Sequence, residues 1–159
     1  MANSAGLCTS FKVQLLKGSH AFGAQATNSV RTVTTKDTFN LALYLASASL
    51  SVATTVYSAT GELAATGNYT AKGKLLTNAT EPSAAAGTTA FWTPSANVTW
   101  TALTSSGAFD AALLINNKST DTTELAVSVH TFSSQSITAA DFTLTMPTND
   151  ATTGLVRIA

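Results

Sequence analysis

Two histidines, one cysteine and eight carboxylates are the side chains with which this 159-residue sequence could carry out proton transfer, nucleophilic attack or metal binding. A Ser-His-Asp arrangement can be drawn from His130, Asp141 and any of 17 serines. With so many serines the match carries no information, and no Gly-x-Ser-x-Gly turn accompanies it. His20 and His130 therefore read as loop or surface residues. Cys8 would need one of them as a base to become a nucleophile. A single thiol forms no internal disulfide, so Cys8 reads as a free thiol in a loose N-terminal arm. Glycoside hydrolysis needs two acids facing each other across a cleft. Asp37, Glu62, Glu81, Asp110, Asp121, Glu124, Asp141 and Asp150 are scattered, mostly at turns, and read as solvated. Asp121 and Glu124 with Asn116 and Asn117 could face a hard cation, but their spacing matches no calcium loop. Two histidines and one distant cysteine make no zinc site. The run from Gly67 to Lys74 looks faintly like a phosphate loop, yet lacks the Gly-Lys-Ser/Thr ending and a following helix. The expectation is a protein with no catalytic residue, no metal, no cofactor and no small-molecule substrate.

The aromatic residues are more informative. Phe91-Trp92-Thr93-Pro94 and Val98-Thr99-Trp100 place two tryptophans close together. Phe91 and Trp92 must face opposite sides of one strand. If Phe91 is core, then Trp92 lies either under a loop of its own chain or against a partner, since large stiff rings favour interfaces. Phe22, Trp92 and Tyr69 are the candidate interface residues. Trp92, Trp100 or Tyr69 could alternatively serve as stacking platforms for a carbohydrate.

The elements that must carry these residues are strands. Phe11, Val13 and Leu15 alternate with polar neighbours, as do Phe39 to Leu45, Val98 to Thr101, Leu125 to His130 and Phe142 to Met146. Alternation gives each run one apolar and one hydroxyl-bearing face. Threonine suits the wet face, because its branched Cβ fits an extended backbone. Ala111 to Ile115 is apolar on both faces and predicts a strand covered on both sides. Residues 47–54 could be one short helix or a loop. Glycines and prolines punctuate the runs, and 116–121 reads as a polar hairpin loop. Nine or ten short strands at such spacing predict an antiparallel sandwich or barrel. Residues 1–10 read as a flexible arm and 11–159 as a single β-sandwich domain, with 18–38 an excursion from it. Leu155 to Ile158 reads as a terminal strand tied into a sheet.

Composition excludes several partners. The chain holds 29 Thr, 28 Ala and 17 Ser, nearly half of all residues, and only 10% charged residues, whose signs cancel to zero. No basic footprint exists for nucleic acid, and no polybasic patch for a membrane. The most apolar stretch, Leu41 to Val52, is too short and too interrupted by serines to span a bilayer. The N-terminus has neither the cationic start nor the apolar core of an export signal. A neutral, weakly charged surface lowers the usual barrier to self-association.

With the strands laid out, the chain resembles a family of small structural proteins of tailed bacteriophages from about residue 11 onward. The most specific segments are Tyr57-Ser58-Ala59-Thr60-Gly61-Glu62 and Gly67-Asn68-Tyr69-Thr70-Ala71-Lys72-Gly73-Lys74, the second departing at Lys72, where another glycine is usual. Within that class it is most like head cement (decoration) proteins. The resemblance implies a jelly-roll-like antiparallel β-sandwich of about 8–10 strands and a virion component without enzyme activity, made in the host cytoplasm. It implies a position on the capsid exterior, binding to the major capsid protein, and a homo-oligomer, with the dimer favoured. Tail, neck or fibre association is the alternative within the virion. The arm at 1–10 and the excursion at 18–38 are then the expected shell contacts.

Overall fold

A computed structural model describes residues 2–24, 36–78, 80–84, 87–117 and 123–159. Much of the expected excursion, at 25–35, and most of the expected hairpin loop, at 118–121, lie outside the described residues. The fold is an all-β antiparallel sandwich with nine strands and one short helix among the described residues.

The principal sheet holds β1 (Gly6–Leu7), β2 (Phe39–Leu45), β3 (Lys74–Leu75), β6 (Phe109–Asn116) and β7 (Leu125–Gln135), in the order β1-β7-β6-β2-β3. Its centre is β6, which pairs with β2 from Phe39↔Asn116 to Leu45↔Phe109, and with β7 from Asn116↔Leu125 to Phe109↔Gln135. Ala111 to Ile115 is buried on both faces, as its unbroken apolar run predicts. The same is true of β2, where alternation suggested one wet face. The positions that alternation would leave to solvent hold Asn40, Ala42 and Tyr44, all buried, with the Asn40 amide donating to the Lys72 carbonyl at 3.3 Å.

The second layer is two ribbons. One pairs β4 (Ala90–Trp92) with β9 (Val156–Ile158), so the C-terminal run is tied into a sheet as expected. The other pairs β5 (Val98–Leu103) with β8 (Ala140–Leu144). Ring contacts join the layers: Trp92 lies 5.3 Å from Phe39, and Phe142 meets Phe109 edge-on at 5.0 Å. In β5 the ladder shifts between Trp100 and Leu103, and Ala102 takes a left-handed φ of 48°. The Asp141 carboxylate accepts the Ala102 N–H at 2.9 Å, satisfying a donor that the bulge removes from the ladder.

Two expectations need correction. Phe11 to Leu15 is not a strand but part of a helix, α1 (Thr9–Lys17). Phe11 and Leu15 stand four residues apart and therefore share one helical face. Phe11 is fully buried, while Val13, the middle of the apparent alternation, is half exposed. Gly18 ends the helix at a left-handed φ of 68°, with closing bonds to the Gln14 and Leu15 carbonyls. The expected arm is not free either. Gly6 and Leu7 pair with β7, the Cys8 N–H donates to Val127, and Asn3 bonds to Leu45, Leu50 and Asp110. Cys8 is fully buried, and burial pushes its thiol up to about 11, which keeps it protonated and unreactive. Residues 47–54 form turns and no helix.

The edges of β2 and of the first half of β7 are covered. Along β2, β3 pairs with Asn40 and Leu41, the Tyr69 hydroxyl accepts the Leu43 N–H, and the Gly61 carbonyl accepts the Leu45 N–H. Along β7, residues 55–57 cover Leu125 and Ala126, and residues 6–8 cover the next turn of the ladder. Unpaired edges invite uncontrolled strand addition, so this closure has a direct physical benefit.

Candidate functional site

The first polar cluster forms where the two segments of strongest resemblance meet. Glu62 was expected to be a solvated turn residue. It is instead 7% exposed, and its carboxylate accepts three hydrogen bonds. Tyr57 donates at 2.5 Å, Tyr69 at 2.7 Å and the Lys72 backbone N–H at 2.7 Å. A buried carboxylate without a cation partner is tolerable only when its lone pairs are satisfied in this way. The Lys72 ammonium turns outward instead, forming an ion pair with Glu124 and lying 5.8 Å from the centre of the Tyr57 ring. That pair lowers the Glu124 pKa.

Residue 72 sits in a backbone conformation that suits glycine better than lysine. Lys72 has φ 67° and Gly73 has φ 66°, a left-handed pair. Glycine adopts this conformation freely and lysine does not. At Gly73 the constraint is absolute, since a Cβ would lie 1.9 Å from the Leu41 carbonyl oxygen. Tyrosine ionisation is suppressed throughout the cluster. Burial, reinforced by the Glu62 charge, raises the pKa of Tyr44, Tyr57 and Tyr69 above the ordinary value. These phenols are permanent donors, and the cluster is a clasp: it fastens residues 57–73 along the β2 edge.

The second polar cluster surrounds His20. Its Nε2 lies 2.9 Å from Gln14 Oε1 and its Nδ1 lies 3.0 Å from Asn116 Nδ2. The Asn116 amide also donates to Asp37 at 2.6 Å, and Asp37 accepts the Ala21 N–H at 2.8 Å. Burial of the ring lowers its pKa to about 4, opposed by the nearby Asp37 charge. His130 is likewise lowered to about 4 by burial. Its Nε2 lies 2.8 Å from the Ser128 hydroxyl, but Ser128 is buried on β7 and cannot meet a substrate. Asp141, the acid considered for a triad, is bonded to the β5 bulge. Asp37 and Asp110, expected as solvated turn acids, instead accept internal hydrogen bonds, from Ala21 and Asn3 respectively. Asp150 sits at a turn as expected, accepting the N–H groups of Thr152 and Thr153, which holds its pKa low. Asp121 lies outside the described residues.

The three candidate interface residues are all covered by their own chain. Trp92 is 2% exposed, Tyr69 3% and Phe22 9%. Phe22 stacks on Phe39 at 4.4 Å and meets Trp92 edge-on at 4.9 Å. Asn78 fixes both, accepting the Trp92 indole N–H at 3.0 Å and donating to the Phe22 carbonyl at 3.2 Å. Of the two readings open for Trp92, the loop of its own chain is the one observed. Trp100 is also buried, so no ring assigned to a carbohydrate platform is available to a sugar.

Beside this aromatic group lies a cavity of about 440 Å³, walled by Phe11, Leu15, Phe22, Trp92, Val156 and Ile158 with His20 and Glu81 as ionisable members. The exposed apolar side chains include Leu16, 92% exposed on α1, and Val13 beside it. Among the described residues no three His, Cys, Asp or Glu side chains group to hold a metal ion, and no helix is long and apolar enough to cross a membrane. Compared with known proteins, the chain matches no family model, no curated protein and no solved structure.

Proposed function

We propose that this chain is a structural protein of a tailed-bacteriophage virion, a cement or decoration protein that binds the outside of the major capsid shell and holds neighbouring subunits together. The observation that carries this reading is the clasp. The two segments in which the resemblance is strongest converge on Glu62, where they close a sheet edge and lock a loop. The likeness therefore lies in residues that build a scaffold, which fits a protein that works through its surface.

The exposed surface supports the same reading. Thr101, Thr143 and Thr145 are exposed near the β5–β8 ribbon, and Thr99 and Thr143 share a hydrogen bond at 2.8 Å. α1 adds the exposed Leu16 and Val13. Such a neutral surface brings copies close together on a shell without charge repulsion. Symmetry then multiplies many weak contacts. The binding unit is a homo-oligomer, with a dimer favoured, and its partner is the major capsid protein rather than nucleic acid, membrane or a small molecule.

Gold-conjugated antibody applied to intact particles tests the assignment. Label spread over the head is the expected result. Label confined to the tail, neck or fibres selects the other virion role, and particles that take up no label contradict both.

A further inference from the structure

We propose that the His20–Asn116–Asp37 contact is an acid-released latch: it holds His20 and Ala21 against the sheet while the ring is neutral, and frees them, widening the adjoining cavity, when the ring takes up a proton. The Asp37 carboxylate only accepts hydrogen bonds, so the Asn116 amide must present its NH₂ group there, at 2.6 Å. The same NH₂ group faces His20 Nδ1 at 3.0 Å, so Nδ1 must be bare and must accept. The ring proton then sits on Nε2 and is donated to Gln14 Oε1 at 2.9 Å. One carboxylate thus fixes an amide orientation, a histidine tautomer and the last turn of α1 together.

A second proton has no place in this arrangement. On Nδ1 it would point at the NH₂ group of Asn116, donor against donor. Turning the amide to offer its oxygen would aim that oxygen at the Asp37 carboxylate, acceptor against acceptor. A direct contact between the charged ring and Asp37 requires the Asn116 amide to leave the space between them. Each route disturbs Asp37, which holds Ala21 twice, accepting its N–H at 2.8 Å and donating its own N–H to the Ala21 carbonyl at 2.8 Å. Asn116 is fully buried, so the mismatch falls on an amide shielded from water.

Among the described residues, the groups that face the ring are few. α1 contributes Gln14 and the edge of Phe11, 4.9 Å away. β6 contributes Asn116. The residues before β2 contribute Asp37, and Lys36 beside it is paired with Glu81, which lines the same cavity. From β4 and β9 the cavity receives only apolar walls. Phe22 stays anchored by Asn78 and by stacking on Phe39, so the movement stops at residue 21. His20 and Ala21 line the cavity, and their departure widens it.

Nitrogen-15 spectra of the histidine rings and amide exchange, recorded on the unmodified chain between pH 7 and pH 4, test the latch. At pH 7 the His20 ring should carry its proton on Nε2 alone. As pH falls, protection of the Ala21 amide, corrected for its intrinsic rate, should drop about tenfold or more with the same midpoint as the ring. His20→Gln keeps one acceptor and one donor, so its Ala21 protection should stay level, while His130→Gln should behave like the parent chain. A proton on Nδ1 at pH 7, midpoints that differ between ring and amide, or an equal loss of protection in His20→Gln would overturn the proposal.

Discussion

A buried carboxylate with three donors and no cation constrains everything around it. In Glu62→Gln, the amide NH₂ group must face a tyrosine hydroxyl or the Lys72 N–H, both of which are already donating. One buried group is left unpaired, at a cost of about 2–3 kcal/mol. Tyr57→Phe removes one donor and should cost about 1 kcal/mol. The double variant should cost less than the sum, because the two residues share one bond. Urea denaturation of the four chains measures this coupling directly. Alkali tests the same cluster. The native pKa values of Tyr44, Tyr57 and Tyr69 are raised above the ordinary 10.0. Their contribution to stability is therefore whole below pH 10 and is lost as pH climbs above it. Thermal unfolding should show a fall in melting temperature beginning near pH 10, shallower in Tyr57→Phe. Lys72→Gly exchanges a left-handed lysine for the residue that φ favours, gaining about 1 kcal/mol of backbone relief. It forfeits a partly exposed ion pair worth no more than that.

At the scale of elements, the structure depends on loops that close edges. Gly73→Ala drives a Cβ into the Leu41 carbonyl at 1.9 Å and should detach β3 and the clasp together. Its expected signature is loss of amide protection at Leu43 and Leu45 with β6 and β7 still protected; equal loss in all four strands contradicts it. How much of this was legible in the sequence follows from the kind of signal each element leaves. β6 and the C-terminal strand were legible because a continuous apolar run, or an apolar chain end, has few other uses. The stretch at Phe11 to Leu15 misled because five residues are too few to separate period 2 from period 3.6. Phe11 and Leu15 satisfy both, and only packing against β7 selects the helix. The arm misled because its ties are backbone bonds and one asparagine, which leave no pattern in composition. Glu62 misled for a third reason: a glycine before an acid signals a turn, and nothing local reveals that two distant tyrosines converge on it. The Tyr57-to-Glu62 spacing and the left-handed Lys72-Gly73 pair were present as motifs, but their common destination is a tertiary fact. Trp92 was half legible, its need for cover being clear and the identity of the cover not.

At the scale of the molecule, a histidine buried in the sheet sets the acid limit. His130 is held neutral, its pKa lowered from 6.5 to about 4. Its contribution is whole above pH 6.5 and is lost as pH falls through 4, on the order of 3 kcal/mol. His130→Gln should flatten the acid limb of the stability profile, measured by denaturant midpoint at pH 7, 5 and 4; an unchanged limb means the ring is solvated. The larger claim is that this sandwich functions by area, repeated over a shell. The most direct measurement of the proposed role is the number of copies of this chain in gradient-purified virions, set against the major capsid protein. The account predicts on the order of hundreds of copies per particle in a fixed ratio to the shell subunit, and finding none, or only a handful, would contradict it.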